Sequence, residues 1–398
     1  MANIITFGCR LNACESDIIK EFADELGIID YTIINTCAVT AEAERKLRQE
    51  IHKLYEQNHD IKIILTGCAV ALHSDEYLAM DGVVGIIAND KKLSKLEYEK
   101  YGTLNRIQSE TTSKVRGFLQ IQNGCDHRCT YCVVRLTRGK NVSFAKEKIV
   151  QNAKHLLEKG YKEIVLTGVN ISSYGSDFSN KQNLAYLIKY ILQEIPELKR
   201  LRLSSLDPAD IDDDLIEIIK NEPRLMPHFH ESIQSGDDMI LKRMLRRHTR
   251  QQVIDLNKKI LAVKPDAIIG ADIITGFPTE TDEMFENTKK FLKEANISLL
   301  HAFPYSKRPG TPAALMPQVL NKIKIQRSAE LRKIEYDLLN QKLQTYIGRT
   351  VEILAETEFF GKTNNYLQTK SKKEMFPGTV YQFKCEAVEN NILIGDVL

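Results

Sequence analysis

At 398 residues, with 43% hydrophobic and 27% charged residues, the chain is too long for one core and has the balance of two or three globular domains. Its net charge of +2 excludes a strong global field, so a polyanion has to meet a local patch. No apolar run reaches the length of a membrane span, and the first residues lack the basic and apolar stretches of a signal peptide. Both point to the cytoplasm and away from a membrane partner. In that reducing compartment the eight cysteines read as ligands, nucleophiles or core residues rather than disulfides.

The first hundred residues alternate β-type runs with helical stretches. A strand at 4–7 is followed by a helix from about Glu15 to Leu26, a strand at 31–34 and a charged helix at about 41–55. Further strands fall at 61–65 and 83–87. Continuous apolar strands separated by helices predict a parallel sheet covered on both faces. Cys9 follows Phe7-Gly8, Cys37 follows Asn35-Thr36, and Cys68 follows Thr66-Gly67. Each thiol therefore sits just past the carboxyl end of a parallel strand, and in an open α/β sheet those ends share one ligand-binding edge. Three thiols in successive units favour a metal site over three small buried cysteines. Cys14, on the first helix, reads as a packing residue.

The polar stretch from Asn105 to Lys114 reads as a linker, with Ser109, Thr111, Thr112 and Ser113 clustered in it. Beyond it the β/α alternation resumes, with strands at 118–122, 163–167, 200–204, 228–233, 267–274 and 298–303. Six such units predict a partial or full parallel barrel of TIM-like (β/α) type. Its first strand leads into Cys125, Cys129 and Cys132, a C-x3-C-x2-C loop. A structural zinc site needs a fourth ligand, and no fourth cysteine or spaced histidine pair lies nearby; His127 inside the loop reads as solvated. Three thiolates on a four-iron cluster leave one iron open to a substrate.

A charged helical segment spans 321–344. After Gly348 short β runs with Gly and Asn turns predict a small all-β module, with Cys385 a packing residue inside it. RNA contact is expected in two places. Lys242, Arg243, Arg246, Arg247, His248 and Arg250 form one basic stretch. The terminal module mixes Lys362, Lys370, Lys372 and Lys373 with Phe360, Tyr366, Tyr381 and Phe383. Lysines and arginines suit phosphates and aromatic rings suit unstacked bases, although a charge run is more often a solvated face.

The cysteine triplet, with Tyr131 before its last cysteine, resembles the cluster loop of the radical S-adenosylmethionine superfamily. Several motifs together resemble the methylthiotransferases of that superfamily: Phe-Gly-Cys-Arg-Leu-Asn at 7–12, Asn-Thr-Cys-Ala-Val-Thr at 35–40, Thr-Gly-Cys-Ala at 66–69 and Phe-Pro-Tyr-Ser-Lys-Arg-Pro-Gly-Thr at 303–311. The segment opening at Gly348 is similar to the small β-barrel RNA-binding TRAM domain. The Gly-Asp-Asp-Met-Ile-Leu-Lys-Arg-Met stretch at 236–244 looks most like the branch acting on threonylcarbamoyladenosine in tRNA.

The resemblance implies an N-terminal methylthiotransferase domain at 1–108, a radical barrel at 109–340 and a TRAM-like barrel at 341–398. It implies two 4Fe–4S clusters, one on Cys125, Cys129 and Cys132 and one on Cys9, Cys37 and Cys68, together with S-adenosyl-L-methionine as cofactor. Gly168, Asn170, Ser204, Gln234 and the Gly276-Phe277-Pro278 turn fall where relatives bind that cofactor. Arg246 aligns with an arginine near its carboxylate, a role that suits a planar cation. No side chain is singled out as catalytic, since the clusters and cofactor carry the chemistry.

The implied reaction adds a methylthio group to carbon 2 of the modified adenosine at tRNA position 37. The anticodon stem-loop would be a partner, with a flavodoxin- or ferredoxin-like electron donor and a sulfur donor. Arg135, Arg138, Arg247 and Lys307 are candidate donors to the threonylcarbamoyl carboxylate. Arg135 stands where relatives have proline, and Glu231 occupies a usually apolar strand position. Isopentenyladenosine or a ribosomal protein as substrate, or a non-catalytic iron–sulfur RNA-binding or redox-sensing protein, are the alternatives.

Overall fold

The computed structural model describes residues 2–102, 115–180 and 182–398. The predicted linker at 105–114 and the predicted boundary at 108 lie outside the described residues. The chain forms two compact units. One is drawn from the stretch up to residue 102 with 122–142 and 306–314, the other from 115–121, 143–305 and 315–398.

In the first unit the strands β1 (Asn3–Thr6), β2 (Tyr31–Thr36), β3 (Lys62–Gly67) and β4 (Val83–Ile86) form a sheet in that order, every neighbour parallel. Helices α1 (Arg10–Glu25), α2 (Ala41–Gln57) and α3 (Cys68–Leu78) connect them. Ile34, Ile63 and Leu65 pack with Leu47 and Ile51 of α2. Ile33 and Ile64 pack with Ile19 and Ala23 of α1. Adjacent residues of one strand thus enter two different cores, which is why these strands are continuously apolar. Each fully buried isoleucine contributes roughly 1.5–3 kcal/mol. Helix α1 begins at Arg10, five residues before the predicted start, with Cys9 as its N-cap and no side-chain cap bond. Without a Ser, Thr or Asp cap, the sequence carries no signal for that start.

In the second unit β5 (Arg116–Gln120), β8 (Glu163–Thr167) and β9 (Leu201–Leu203) form one parallel three-stranded sheet, and β10 (His228–Gln234), β11 (Ile268–Thr275) and β12 (Ile297–Pro304) another. The short strands β6 (Gln122–Asn123) and β7 (Val142–Ser143) pair separately. Isolated bridges Leu201↔Leu225 and Leu206↔Glu231 join the two larger sheets. Helices α5 (Lys146–Glu158), α6 (Leu184–Glu194), α7 (Asp213–Asn221), α9 (Arg250–Val263) and α10 (Asp282–Glu294) cover one face. Leu119, Ile164, Leu166, Leu201, Phe229, Ile269, Ala271, Leu300 and Ala302 enter that helix-facing core. The residues between them on each strand face inward, into the lumen of a partial (β/α) barrel.

Beyond α11 (Asn321–Gln344), β13 (Thr350–Ala355), β14 (Phe360–Thr363), β15 (Gln368–Ser371), β16 (Val380–Glu389) and β17 (Ile392–Val397) close a small barrel. Its core joins Ile353, Phe383, Cys385 and Leu393 to Leu343 and Tyr346 and to Ile268 of β11. Tyr366 stacks on His228 at 4.8 Å between centroids. The guanidinium groups of Arg116 and Arg202 lie 5.5 and 4.8 Å from the same ring. Tyr366 therefore sits against the amino-terminal end of the lumen, above the buried Glu163, which bonds Arg116, Arg200 and Arg202.

Candidate active site

Three strand ends of the first unit carry the first cysteine set. Gly8 and Gly67, immediately before Cys9 and Cys68, have φ of +104° and +103°, a region that L side chains rarely adopt. A Cβ at Gly8 would lie 2.7 Å from Cys37 Sγ, so glycine lets two of the cysteine-bearing turns converge. Cys37 is buried, and its thiol is pushed up to about 11 by that burial and by the facing Cys9 and Cys68 sulfurs. The structure thus brings the three predicted thiols together at one sheet edge.

The surrounding polar groups hold that edge. Asn12 donates to Phe7 O at 2.7 Å and Thr36 O at 2.9 Å, tying the first turn to the second. Asn35 donates to Asn12 O and Ser16 Oγ. Val39 N donates to Cys37 Sγ at 3.5 Å. Arg138, from α4 (Val134–Arg138), is buried here. It donates from Nη1 to Glu15 Oε1 and from Nη2 to Asn12 Oδ1, each at 2.6 Å, and from Nε to Cys68 Sγ at 3.3 Å. Lys92 meets the other oxygen of Glu15 at 2.5 Å. Burial alone would raise the Glu15 carboxyl, but Arg138 and Lys92 hold it below the usual range. The net positive charge of this trio faces a sulfur, where it favours thiolate.

The second cysteine set lies in the same unit. Cys125, Cys129 and Cys132 are partly exposed and free of disulfides. Cys132 N donates to Cys129 O at 3.1 Å, and Val134 N to Cys132 Sγ at 3.5 Å. Cys125 N donates to Gly139 O at 3.1 Å, closing the loop. Tyr131 is half-buried beside Cys132. Each set offers three thiols and N–H donors to sulfur, a donor set that fits an iron–sulfur cluster with one iron left open. The 306–314 loop also belongs to this unit: Arg308 bonds Glu44, and Ala313 N donates to Thr130 O at 2.9 Å.

The other predicted cofactor residues lie in the second unit, at carboxyl ends of its strands. Gly168 and Asn170 follow β8, and Asn170 bonds Ser173 and, at 3.4 Å, Asp210. Ser204 follows β9 and is buried, its N–H donating to Leu166 O. Gln234 ends β10 with φ of +78°. Gly276 has φ of +64°, and its N–H donates to Glu280 at 2.7 Å. Arg246 is nearly buried, ion-paired with Asp207 at 3.0 Å and donating to Ser232 O at 2.6 Å.

These geometries resemble one known group of enzymes, and comparison with known proteins agrees. The signature of the Radical SAM superfamily covers residues 119–292, and that of Uncharacterized protein family UPF0004 covers 1–89. Threonylcarbamoyladenosine tRNA methylthiotransferase MtaB of Rickettsia prowazekii (strain Madrid E) is 45% identical over 403 residues, spanning 98% of this chain and 96% of that protein. The chain belongs to the radical SAM tRNA methylthiotransferases. The MtaB protein of Thermotoga maritima is 34% identical, over 97% of this methylthiotransferase and 94% of its own length. The tRNA-2-methylthio-N(6)-dimethylallyladenosine synthase of Protochlamydia amoebophila is 32% identical, over 98% and 95%. Among solved structures, the radical S-adenosylmethionine methyltransferase TsrM from Kitasatospora setae superposes with a TM-score of 0.54 at 12% identity. That match covers 77% of this chain and 68% of TsrM and shows the fold alone.

Several expected nucleic-acid and substrate contacts of the methylthiotransferase are taken up internally. In the basic stretch, Arg243 bonds Thr279 at 2.8 Å, Arg247 pairs with Asp210 at 2.5 Å, and Arg250 pairs with Glu294 at 2.5 Å. His248 is buried. These side chains stabilise the strand-end turns and form no open phosphate patch. Arg138 and Arg247 are likewise engaged, while Arg135 bonds Asp126 O and Lys307 is exposed. In the terminal barrel Phe383 is core and Tyr366 faces the lumen, so neither stacks on external bases. Lys372 and Lys373 pair with Glu386 and Asp396, which makes their face mixed in charge. Sequence reasoning missed the Arg138–Glu15–Lys92 network, because its members are 46 to 123 residues apart and follow no periodic pattern.

Proposed function

We propose that this methylthiotransferase acts on the adenosine at tRNA position 37 that already bears a threonylcarbamoyl group, placing the methylthio group on carbon 2. The observation that carries this reading is the 45% identity to an MtaB protein over nearly the whole chain. Both predicted cysteine sets support it, since each combines three thiols with N–H donors. Cys125, Cys129 and Cys132 would hold the cluster whose open iron takes S-adenosyl-L-methionine, and Cys9, Cys37 and Cys68 the second 4Fe–4S cluster. When bound, that cofactor supplies the radical chemistry that acid–base side chains cannot.

The chain's own residues hold and orient. Asn12 and Asn35 fix the strand-end turns, and Arg138 keeps a positive charge against Cys68. Tyr131, Gly168, Asn170, Ser204, Gln234 and Arg246 would line the cofactor site. Arg246 would act there while anchored by Asp207. Functionally the chain divides into an N-terminal domain to about 108, a radical barrel to about 340 and a TRAM-like module. Exposed Lys370, Lys372 and Lys373 beside Phe360 and Tyr381 would meet the anticodon stem-loop. A flavodoxin- or ferredoxin-like protein would supply electrons and a separate donor the sulfur. No described helix is long and apolar enough to cross a membrane, and the cytoplasm, where its tRNA substrate is, would be its place of work.

The test is mass spectrometry of tRNA nucleosides from cells with and without this gene. Methylthio-threonylcarbamoyladenosine should disappear on deletion and return on complementation. Loss of the methylthio-isopentenyl nucleoside instead would overturn the substrate while leaving the enzyme class intact.

A further inference from the structure

Three polar side chains in the second unit have no part in the site described above. His230, Asp272 and His301 lie on the adjacent strands β10, β11 and β12, with Asp272 paired to His301 and His230 to Gly270 in register. Their sequence neighbours Phe229, Ala271, Leu300 and Ala302 enter the helix-facing core. By strand alternation all three therefore face the lumen. One carboxylate oxygen, Asp272 Oδ1, bonds His230 Nε2 at 2.9 Å and His301 Nδ1 at 3.2 Å. The two rings are 4.7 Å apart. The site has a built-in allowance for this arrangement: a Cβ at Gly270 would lie 2.5 Å from His230 Nδ1. The His301 side chain is 57% exposed, whereas those of Asp272 and His230 are 20% and 7%.

The trio is thus ordered from the inside out. His230 and Asp272 form a buried brace, and His301 presents the outward group. With Nδ1 bonded to Asp272, the ring has Nε2 for a ligand. A carboxylate neighbour favours imidazolium, in which both nitrogens donate. Glu335 of α11 also faces His301 electrostatically and acts in the same sense. Burial alone would raise the Asp272 carboxyl, but the two histidines hold it well below the usual range.

A second observation points to a ligand in the same lumen. Gln120 is the lumen-facing residue at the end of β5, between the core residues Leu119 and Ile121. It is only 4% exposed, yet neither its amide oxygen nor its nitrogen has a partner. Buried amides left unpaired are costly, and a polar ligand would satisfy this one. The deeper cations of the lumen are unavailable, since Arg116, Arg200 and Arg202 are bonded to Glu163.

We propose that His301, braced by Asp272 and His230, is the residue that reads the carboxylate of the substrate's threonylcarbamoyl group. This rests on the substrate named under Proposed function and deepens it. An isopentenyl group is wholly apolar and would leave His301 unpaired, so the same contact selects against it. Discrimination of this kind, through a buried donor left without a partner, is stronger than apolar pockets achieve.

The experiment measures binding of the reconstituted full-length protein to three anticodon stem-loops that differ only at position 37: threonylcarbamoyladenosine, adenosine and isopentenyladenosine. The wild type should bind the first about tenfold or more tighter than the second, the value for a charge-assisted hydrogen bond. His301→Ala should bring that ratio close to one while leaving affinity for the adenosine loop unchanged. Asp272→Asn should lower the ratio less. Both variants should retain the wild-type iron content and tRNA-independent cleavage of S-adenosylmethionine, which marks them as folded. In turnover the loss should fall on KM rather than kcat.

Retention of the full ratio by His301→Ala overturns this inference alone. A wild type that prefers the isopentenyl loop overturns the substrate reading as well. Abolition of the wild-type preference by a divalent-metal chelator, with iron content unchanged, would overturn it in favour of a cation bound by the trio.

Discussion

Glu231 lies on β10 between two lumen-facing residues, and it is fully buried on the helix side, beside Asn257 of α9. Burial pushes its carboxyl up to about 8 from an ordinary value of 4.5, against a smaller opposing contribution from Asn257. A carboxyl that binds its proton more tightly when folded stabilises the protein fully below its unfolded value. That contribution is lost as the pH rises through the folded value. Glu231 should therefore make the protein less stable as pH climbs from about 4.5 to about 8. Glu231→Gln keeps the shape and removes the titration. Its Tm should match the wild type at pH 5 and exceed it by roughly 5 °C or more at pH 8.5. Parallel pH–Tm curves for the two proteins would contradict this. The sequence could show that the position was unusual for its strand but not which face it occupied. A period of two gives parity without naming the buried side.

At the scale of elements, the strands were the most legible part. The six predicted barrel strands fall within about two residues of the observed ones, because β-branched runs between glycines and helices leave little alternative. The cysteine edge was legible for the same reason, since strand ends of a parallel sheet share one side. The network that supports it was not, because Arg138 reaches Glu15 and Cys68 from a short helix far along the chain. Arg138→Met tests its role. Glu15 would then be buried against Lys92 alone, Asn12 would lose its acceptor bond, and Cys68 its cation. A buried pair broken on one side costs on the order of 3–5 kcal/mol, so Tm should fall clearly. Reconstituted iron should fall from about eight to about four per chain, because only the N-terminal cysteines lose their support. A full iron load at an unchanged Tm would show that the guanidinium is dispensable there.

At the scale of the molecule, the terminal barrel is bonded into the second unit and is not a pendant module. A sequence reading sees a composition change after Gly348 and infers a separable domain; composition cannot show which side chains reach back. Arg200 bonds Glu352 at 2.9 Å, Arg202 donates to Asn364 O at 3.0 Å, and Tyr366 stacks on His228. The barrel core also takes in Ile268 from β11 and Leu343 from α11. Truncation before Gly348 would expose those two residues and strip partners from arginines clustered on a buried carboxylate. The truncated chain should therefore lose tRNA binding and S-adenosylmethionine cleavage together, with a much lower Tm, which makes truncation a poor assay for RNA contact. Changes on the outer face separate the two. Replacing Lys370 and Lys373 with alanine touches no core residue and should leave Tm and cofactor cleavage unchanged. If these lysines meet tRNA phosphates, affinity should fall about equally for all three stem-loops, and the slope of log affinity against log salt should become shallower by about one per lysine. An unchanged slope would place the phosphate contacts elsewhere on the chain. A truncated protein with wild-type Tm would show that the barrel contributes little to the stability of the unit it packs against.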